Sequence, residues 1–210
     1  MSFDLWLAFL AASTALLLIP GPTVLLVLSY ALSQGRRVAL SCAAGVALGD
    51  LVAMTASLAG LGALVLTSAT LFTLLKWVGA AYLVWLGIKL LRSAPEAGLG
   101  DATETGAVPS HRGVFWHAAT VTALNPKSIA FFIAFVPQFI TPERALLPQF
   151  TILIASFVGL AALNALAYAL LADKLRSTIN RPSVTLWLTR AGGAALVSMG
   201  ILTAALRRNS

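Results

Sequence analysis

Two short stretches hold residues whose types and spacing point to chemistry. The first is Pro20-Gly21-Pro22-Thr23, set within the apolar run from Leu16 to Val27. Each proline lacks a backbone N–H and steers the residue before it away from helical angles, so a helix drawn through both must break. Gly21 between them is free to take backbone angles closed to other residues. The second stretch is Asn125-Pro126-Lys127, again inside an apolar run. In lipid, the N–H and C=O groups freed by such a break have no water to turn to. A break therefore persists only where it is buried in protein or faces a water-filled cavity. The half-helices that restart beyond each break offer unpaired N–H groups, at Thr23 and Val24 in one case and Ser128 and Ile129 in the other. Their partial positive charge suits a carboxylate. Asn125 adds a side-chain amide and Lys127 a cation.

Asp50 is the third element of this chemistry. Its helical neighbours are Val46, Ala53, Met54 and Ser57, so it stands almost alone on an apolar face. A bare carboxylate in hydrocarbon costs several kcal/mol and must be protonated, paired or turned to water. Two readings are open: a proton carrier or ligand for a substrate amine, or a fixed ion pair with Lys127 that only holds helices together. Lys127 is correspondingly a partner for a substrate carboxylate or the counter-ion of Asp50. Asn164 and Tyr168 share a helix face one turn apart and either line a cavity or bond between helices. Gly45 and Gly49 form a G-x-x-x-G spacing that reads as close helix packing. His111 and His117 stand too far apart for a helical metal pair, and no metal or cofactor site is expected. No plausible nucleophile–base pair lies within the apolar runs, so the residues do not point to an enzyme.

The elements that must position these groups are membrane helices. Of the 210 residues 59% are hydrophobic and 10% charged, and the mean hydropathy is +0.91, whereas a soluble domain is about a quarter charged. A span needs about 20 apolar residues, which allows six in this length. They run about Phe3–Ser33 (broken at Pro20), Val38–Leu66, Leu71–Leu91, Val114–Ile140, Leu146–Ala172 and Val184–Leu206. The first lacks the basic start of a secretory signal and is too long for one, so it is expected to stay in the mature protein. A Gly-, Pro- and acid-containing stretch, about 93–113, reads as a flexible linker between a first repeat, about 1–92, and a second, about 114–210. The whole chain is expected to be one membrane domain. The net charge of +7 comes from basic residues at the ends of apolar runs, which points to lipid headgroups and not to nucleic acid. The single Cys42 excludes a disulfide framework.

The halves resemble each other. Between Val78–Ile88 and Ala191–Ile201 six of eleven positions are identical, among them Gly79/Gly192, Leu83/Leu196 and Gly87/Gly200. The broken first span also corresponds to the broken fourth. Two repeats of three spans face opposite ways, the inverted-repeat plan of secondary transporters, in which paired interrupted helices mark the binding site. The expected fold is thus an all-α membrane protein with six transmembrane helices in two inverted three-helix repeats. Connections after the first, third and fifth spans hold Arg36, Arg37, Arg92, Arg112, Lys174, Arg176 and Arg181, against Arg144 and the tail pair Arg207-Arg208 on the other side. The first set is expected inside, with both termini periplasmic. Small-residue faces at Gly45/Gly49 and Gly192/Gly193 suit packing within one chain or in a homodimer.

The Pro-Gly-Pro of the first helix, the acid after glycines in the second and the Asn-Pro-Lys of the fourth, within six spans, resemble the lysine-exporter (LysE/RhtB-type) family over essentially the whole chain. The resemblance implies efflux of amino acids or close derivatives across the bacterial inner membrane by proton antiport. Its substrate-binding residues would be Pro20, Gly21, Pro22, Asp50, Asn125, Pro126 and Lys127, to which the reading of the residues adds Thr23 and Asn164. Asp50 would carry the proton. An inorganic-cation exporter on the same fold and a non-transporting membrane partner protein are the rival readings.

Overall fold

The computed structural model describes residues 1–19, 21–34, 36–67, 69–92, 110–141, 144–179 and 182–205. Among these residues the chain is all helical. Its eight α-helices are α1 (Phe3–Leu18), α2 (Pro22–Gln34), α3 (Arg36–Thr67), α4 (Ala69–Arg92), α5 (His111–Ala123), α6 (Pro126–Ala134), α7 (Leu146–Ile179) and α8 (Pro182–Ala205), with a short 3-10 helix at Val136–Phe139. Pro20 and residues 93–109 of the expected linker lie outside the described residues. Ser110 accepts from the Gly113 N–H and caps α5, so the helix starts at His111, inside the stretch expected to be linker.

Both expected breaks are present. α1 and α2 meet at 56° and α5 and α6 at 44°, and each bent pair is apolar and long enough to serve as one broken span. Within α3 and α7, the stretches Arg37–Ala63 and Leu146–Ala172 are long and apolar enough to cross on their own. The described residues thus supply two spans, or four if each bent pair is one. α4 and α8 occupy the places expected for the third and sixth. Large apolar side chains such as Leu124 (70% exposed), Leu163 (68%) and Trp187 (75%) face outward, as lipid contact allows and water does not favour.

Two cores lie on either side of the breaks. The first is built from bulky residues of α1, α4, α6 and α8, the last stretch of α3 and the early part of α7, with Phe131, Phe132 and Phe157 stacked edge to face or tilted at 4.8–6.1 Å. The second, between α2, the start of α3, α5 and the later part of α7, is built from Ala and Val, with Leu28 and Cys42. Small residues there let backbones approach closely. At Gly49 an added Cβ would stand 2.5 Å from the Ala119 carbonyl and 2.7 Å from Thr122 Cβ, and at Gly45 it would collide with the Phe115 carbonyl. The G-x-x-x-G spacing therefore packs α3 on α5 within the chain. Gly193 is used in the same way against Gly87 of α4, and Gly192 against Ile19. Replacing Gly49 with Val is expected to force α3 off α5 at a cost of about 1–3 kcal/mol, read as a lower unfolding temperature in detergent; an unchanged midpoint would contradict this packing.

Side-chain bonds finish the ends. Tyr30 Oη lies 2.8 Å from His117 Nδ1 and ties α2 to α5, while Ser41 Oγ lies 3.1 Å from His111 Nδ1 and ties α3 to α5. At the opposite end the Gln149 amide bonds the N–H and carbonyl of Thr141 and the carbonyls of Arg144 and Ala145. One side chain thereby satisfies the turn leading into α7.

Candidate functional site

A helix end leaves its last carbonyls without partners, and the end of α1 is supplied by two distant side chains. Lys127 Nζ donates to the Leu16 carbonyl at 3.2 Å and the Ile19 carbonyl at 3.1 Å. Asn164 Nδ2 donates to the Leu17 carbonyl at 3.2 Å. An added Cβ at Gly21 would stand 3.2 Å from Lys127 Nζ. Gly21 does not adopt the left-handed backbone that only glycine takes readily; its missing side chain instead makes room for the ammonium. Pro22 then opens α2 at a position where its absent N–H costs nothing. The first backbone ring of that helix closes at Leu25, onto the Gly21 carbonyl, which puts Thr23 and Val24 ahead of it.

The second break is built on Asn125. Its Oδ1 accepts from the Lys127 N–H at 3.1 Å and so caps α6, with Pro126 in the first helical position. Its Nδ2 donates to Thr23 Oγ1 at 3.2 Å, and Thr23 Oγ1 lies 3.4 Å from Thr122 Oγ1. The amide joins the start of one half-helix to the start of the other. Ile129 N–H, expected to be free, donates to the Asn125 carbonyl at 3.0 Å, so Ser128 alone of that pair keeps the position ahead of the first ring.

Asp50 is 3% exposed and is brought to the breaks by its neighbour Gly49, which sits on α5. Asp50 and Lys127 line one cavity together with Gly21, Thr23, Asn125, Ser128, Asn164 and Tyr168, and with the apolar walls of Val24, Val27, Val46 and Ala165. Their charges are near enough to act on each other, but among the described residues they do not form a salt bridge. Lys127 is held by α1's carbonyls instead, so the fixed Asp50–Lys127 pair is not the arrangement found. The cavity volume is about 30 Å³, room for one or two waters and far below a ligand pocket of about 300 Å³ or more. The cavity is closed down around its polar groups.

Of the residues expected at the site, Gly21, Thr23, Asp50, Asn125, Lys127 and Asn164 line this cavity. Pro22 and Pro126 set the helix starts beside it, and Pro20 lies outside the described residues. Thr122 was not foreseen. It is 1% exposed and bonds across to Thr23; its only sequence signal is a polar residue one turn before Asn125. Among the described residues no group of three His, Cys, Asp or Glu is placed to hold a metal.

The model of the LysE type translocator family matches residues 14–206. The chain is 36% identical over 204 residues to an uncharacterized membrane protein of Vibrio cholerae, covering 97% of this chain and 98% of that one. It is 35% identical over 207 residues to a homoserine/homoserine lactone efflux protein of Salmonella typhimurium, covering 99% of both chains. To a leucine efflux protein of Klebsiella pneumoniae it is 33% identical over 135 residues, covering 64% of this chain and 63% of that one. No solved structure matches. Two proline breaks packed against each other, with an acid and a base between them, thus occur in a chain that matches one family model over nearly its whole length: the protein belongs to the LysE type translocator family.

Proposed function

We propose that the chain exports amino acids or close derivatives, the class to which the relatives' names point, by proton antiport with alternating access. The carrying observation is one buried carboxylate and one part-buried ammonium lining a single small cavity at two facing helix breaks. A zwitterion matches that pair. Its ammonium is received by Asp50, and its carboxylate by Lys127 and the helix starts at Thr23 and Ser128, where partial positive charge favours an anion. Protonation of Asp50 on the far side discharges the ammonium's partner, releases substrate and returns a proton inward.

Six spans in two inverted repeats, both termini periplasmic, in the inner membrane, form the matching architecture. Its support is the paired breaks and the packing of α4 on α8 through residues that repeat between the halves, such as Gly87 against Val197 and Gly200 against Val84. The homodimer draws no support from the glycine faces, because they are filled within the chain. Exchange of labelled for unlabelled amino acid in proteoliposomes tests the transport reading. Saturable exchange of at least one neutral amino acid is expected; its absence for a full panel, from folded protein, would overturn it.

A further inference from the structure

We infer that the seam between α1 and α7 is an access path from the break cavity to the end of the molecule where α1 starts. The Ser13 hydroxyl lines this path, and the bond between Trp6 and Ser156 latches its mouth. The inference rests on the transport reading above and adds to it the route on one side.

Ser13 is where the packing leaves something over. Among the described residues its Oγ is the one fully enclosed side-chain polar atom without a hydrogen-bond partner. The residue is 0% exposed, and Phe9 and Leu16, on the same face of α1, belong to the bulky core. A buried hydroxyl left unpaired costs about 1–3 kcal/mol, which an alanine at this position would avoid. The closed arrangement therefore carries a polar group that it does not use. An arrangement in which water reaches Ser13 does use it.

The neighbours of Ser13 show which way the water comes. Leu16 and Leu17 line the break cavity, and Ser13 stands one turn, about 5 Å, before them on α1. Trp6 lies two turns, about 10 Å, beyond Ser13 on the same face. Both ends of this line are tied to α7. Trp6 Nε1 donates to Ser156 Oγ at 2.9 Å, and Asn164 Nδ2 donates to the Leu17 carbonyl at 3.2 Å. Ser13 thus sits between the two points where α1 meets α7. Those two are the hydrogen bonds between α1 and α7 among the described residues.

The seam is also made to part more easily than its counterpart across the breaks. There Gly45 and Gly49 bring the backbone of α3 against α5 so closely that no Cβ fits. Gly159 is the single glycine of either α1 or α7, and an added Cβ there would meet nothing within 4 Å. The α1–α7 seam is closed by side chains, which turn aside without moving a backbone contact.

Reaction of Ser13→Cys with a membrane-impermeant maleimide, in vesicles of both orientations, tests this. Phe3→Cys, at a position 66% exposed at the start of α1, marks the side. Cys42, the chain's own cysteine, is 0% exposed, and wild type and Ser156→Ala alone give the background. Ser13→Cys is expected to react from the side of the Phe3→Cys marker only. Adding Ser156→Ala should speed the reaction about two- to tenfold, the worth of one net hydrogen bond. Ser13→Ala should unfold in detergent at a temperature no lower than wild type while its exchange slows. Reaction from the opposite side, none from either side in folded protein, or a rate indifferent to Ser156→Ala would overturn the inference. So would a lowered unfolding temperature in Ser13→Ala, which would show the hydroxyl to be a structural bond. The labelling uses no substrate, so it fails or succeeds independently of whether amino acids exchange.

Discussion

Lys127→Met is expected to lose both stability and transport. The substitution keeps a long apolar stem and removes three N–H donors, two of which satisfy the carbonyls of Leu16 and Ile19. The Ile19 carbonyl is left without its partner, at about 1–3 kcal/mol, the Leu16 carbonyl keeps only the Ile19 N–H, and Asp50 loses the only ammonium in its cavity, which leaves a buried carboxylate uncompensated. Unfolding in detergent should begin at a clearly lower temperature, and exchange should fall by a hundredfold or more, on the order of the loss of two such interactions. Lys127→Arg separates the two effects. It keeps charge and donors, so folding should recover, but the guanidinium is wider than the space beside Gly21, where even a Cβ would stand 3.2 Å from the ammonium. Transport should stay well below wild type. A Lys127→Met protein as stable as wild type would contradict the capping of α1.

Asp50→Asn separates charge from shape. The amide fills the same volume at a site that is 3% exposed, so the fold should survive. Under the proposed reading, removing the charge takes away the partner of the substrate ammonium. The expected loss is on the order of a hundredfold in transport, the size of a hydrogen bond to a charged group. Under the proposed antiport the same substitution removes the proton's carrier, so whatever flux remains should no longer respond to an imposed proton gradient. Equal flux in wild type and Asp50→Asn would reduce the residue to a packing role.

Sequence carried the breaks because their cause is covalent: a proline has no N–H wherever the chain goes afterwards, and two such sites inside apolar runs need a protein partner. Asp50 was legible for a similar reason, since a carboxylate in an apolar run has few destinations. Gly45 and Gly49 were legible as packing, though not as packing on α5. What could not be read is which group meets which. Lys127 reaches back 111 and 108 residues to the end of α1, and only the crossing of the two breaks brings it there. From its neighbours alone it looked equally suited to pair with Asp50. Asn164 offered two roles and takes both, bonding Leu17 while lining the cavity. His111 and His117 tie α5 to α3 and α2, contacts with no local signature. The division into a Phe-rich core and an Ala/Val core was present in composition, with Phe131, Phe132 and Phe135 on α6 against Ala165, Ala169 and Ala172 on α7. It gained meaning only once the breaks placed those segments on opposite sides of the cavity.

The most direct test of the central claim is uptake of labelled neutral amino acids into inside-out membrane vesicles, with and without an acid interior, for wild type and Asp50→Asn. Accumulation that the acid interior drives, a protonophore collapses and the substitution removes is the predicted result. Accumulation indifferent to the gradient, or equal in wild type and Asp50→Asn, would contradict an amino acid/proton antiporter built on the Asp50–Lys127 cavity.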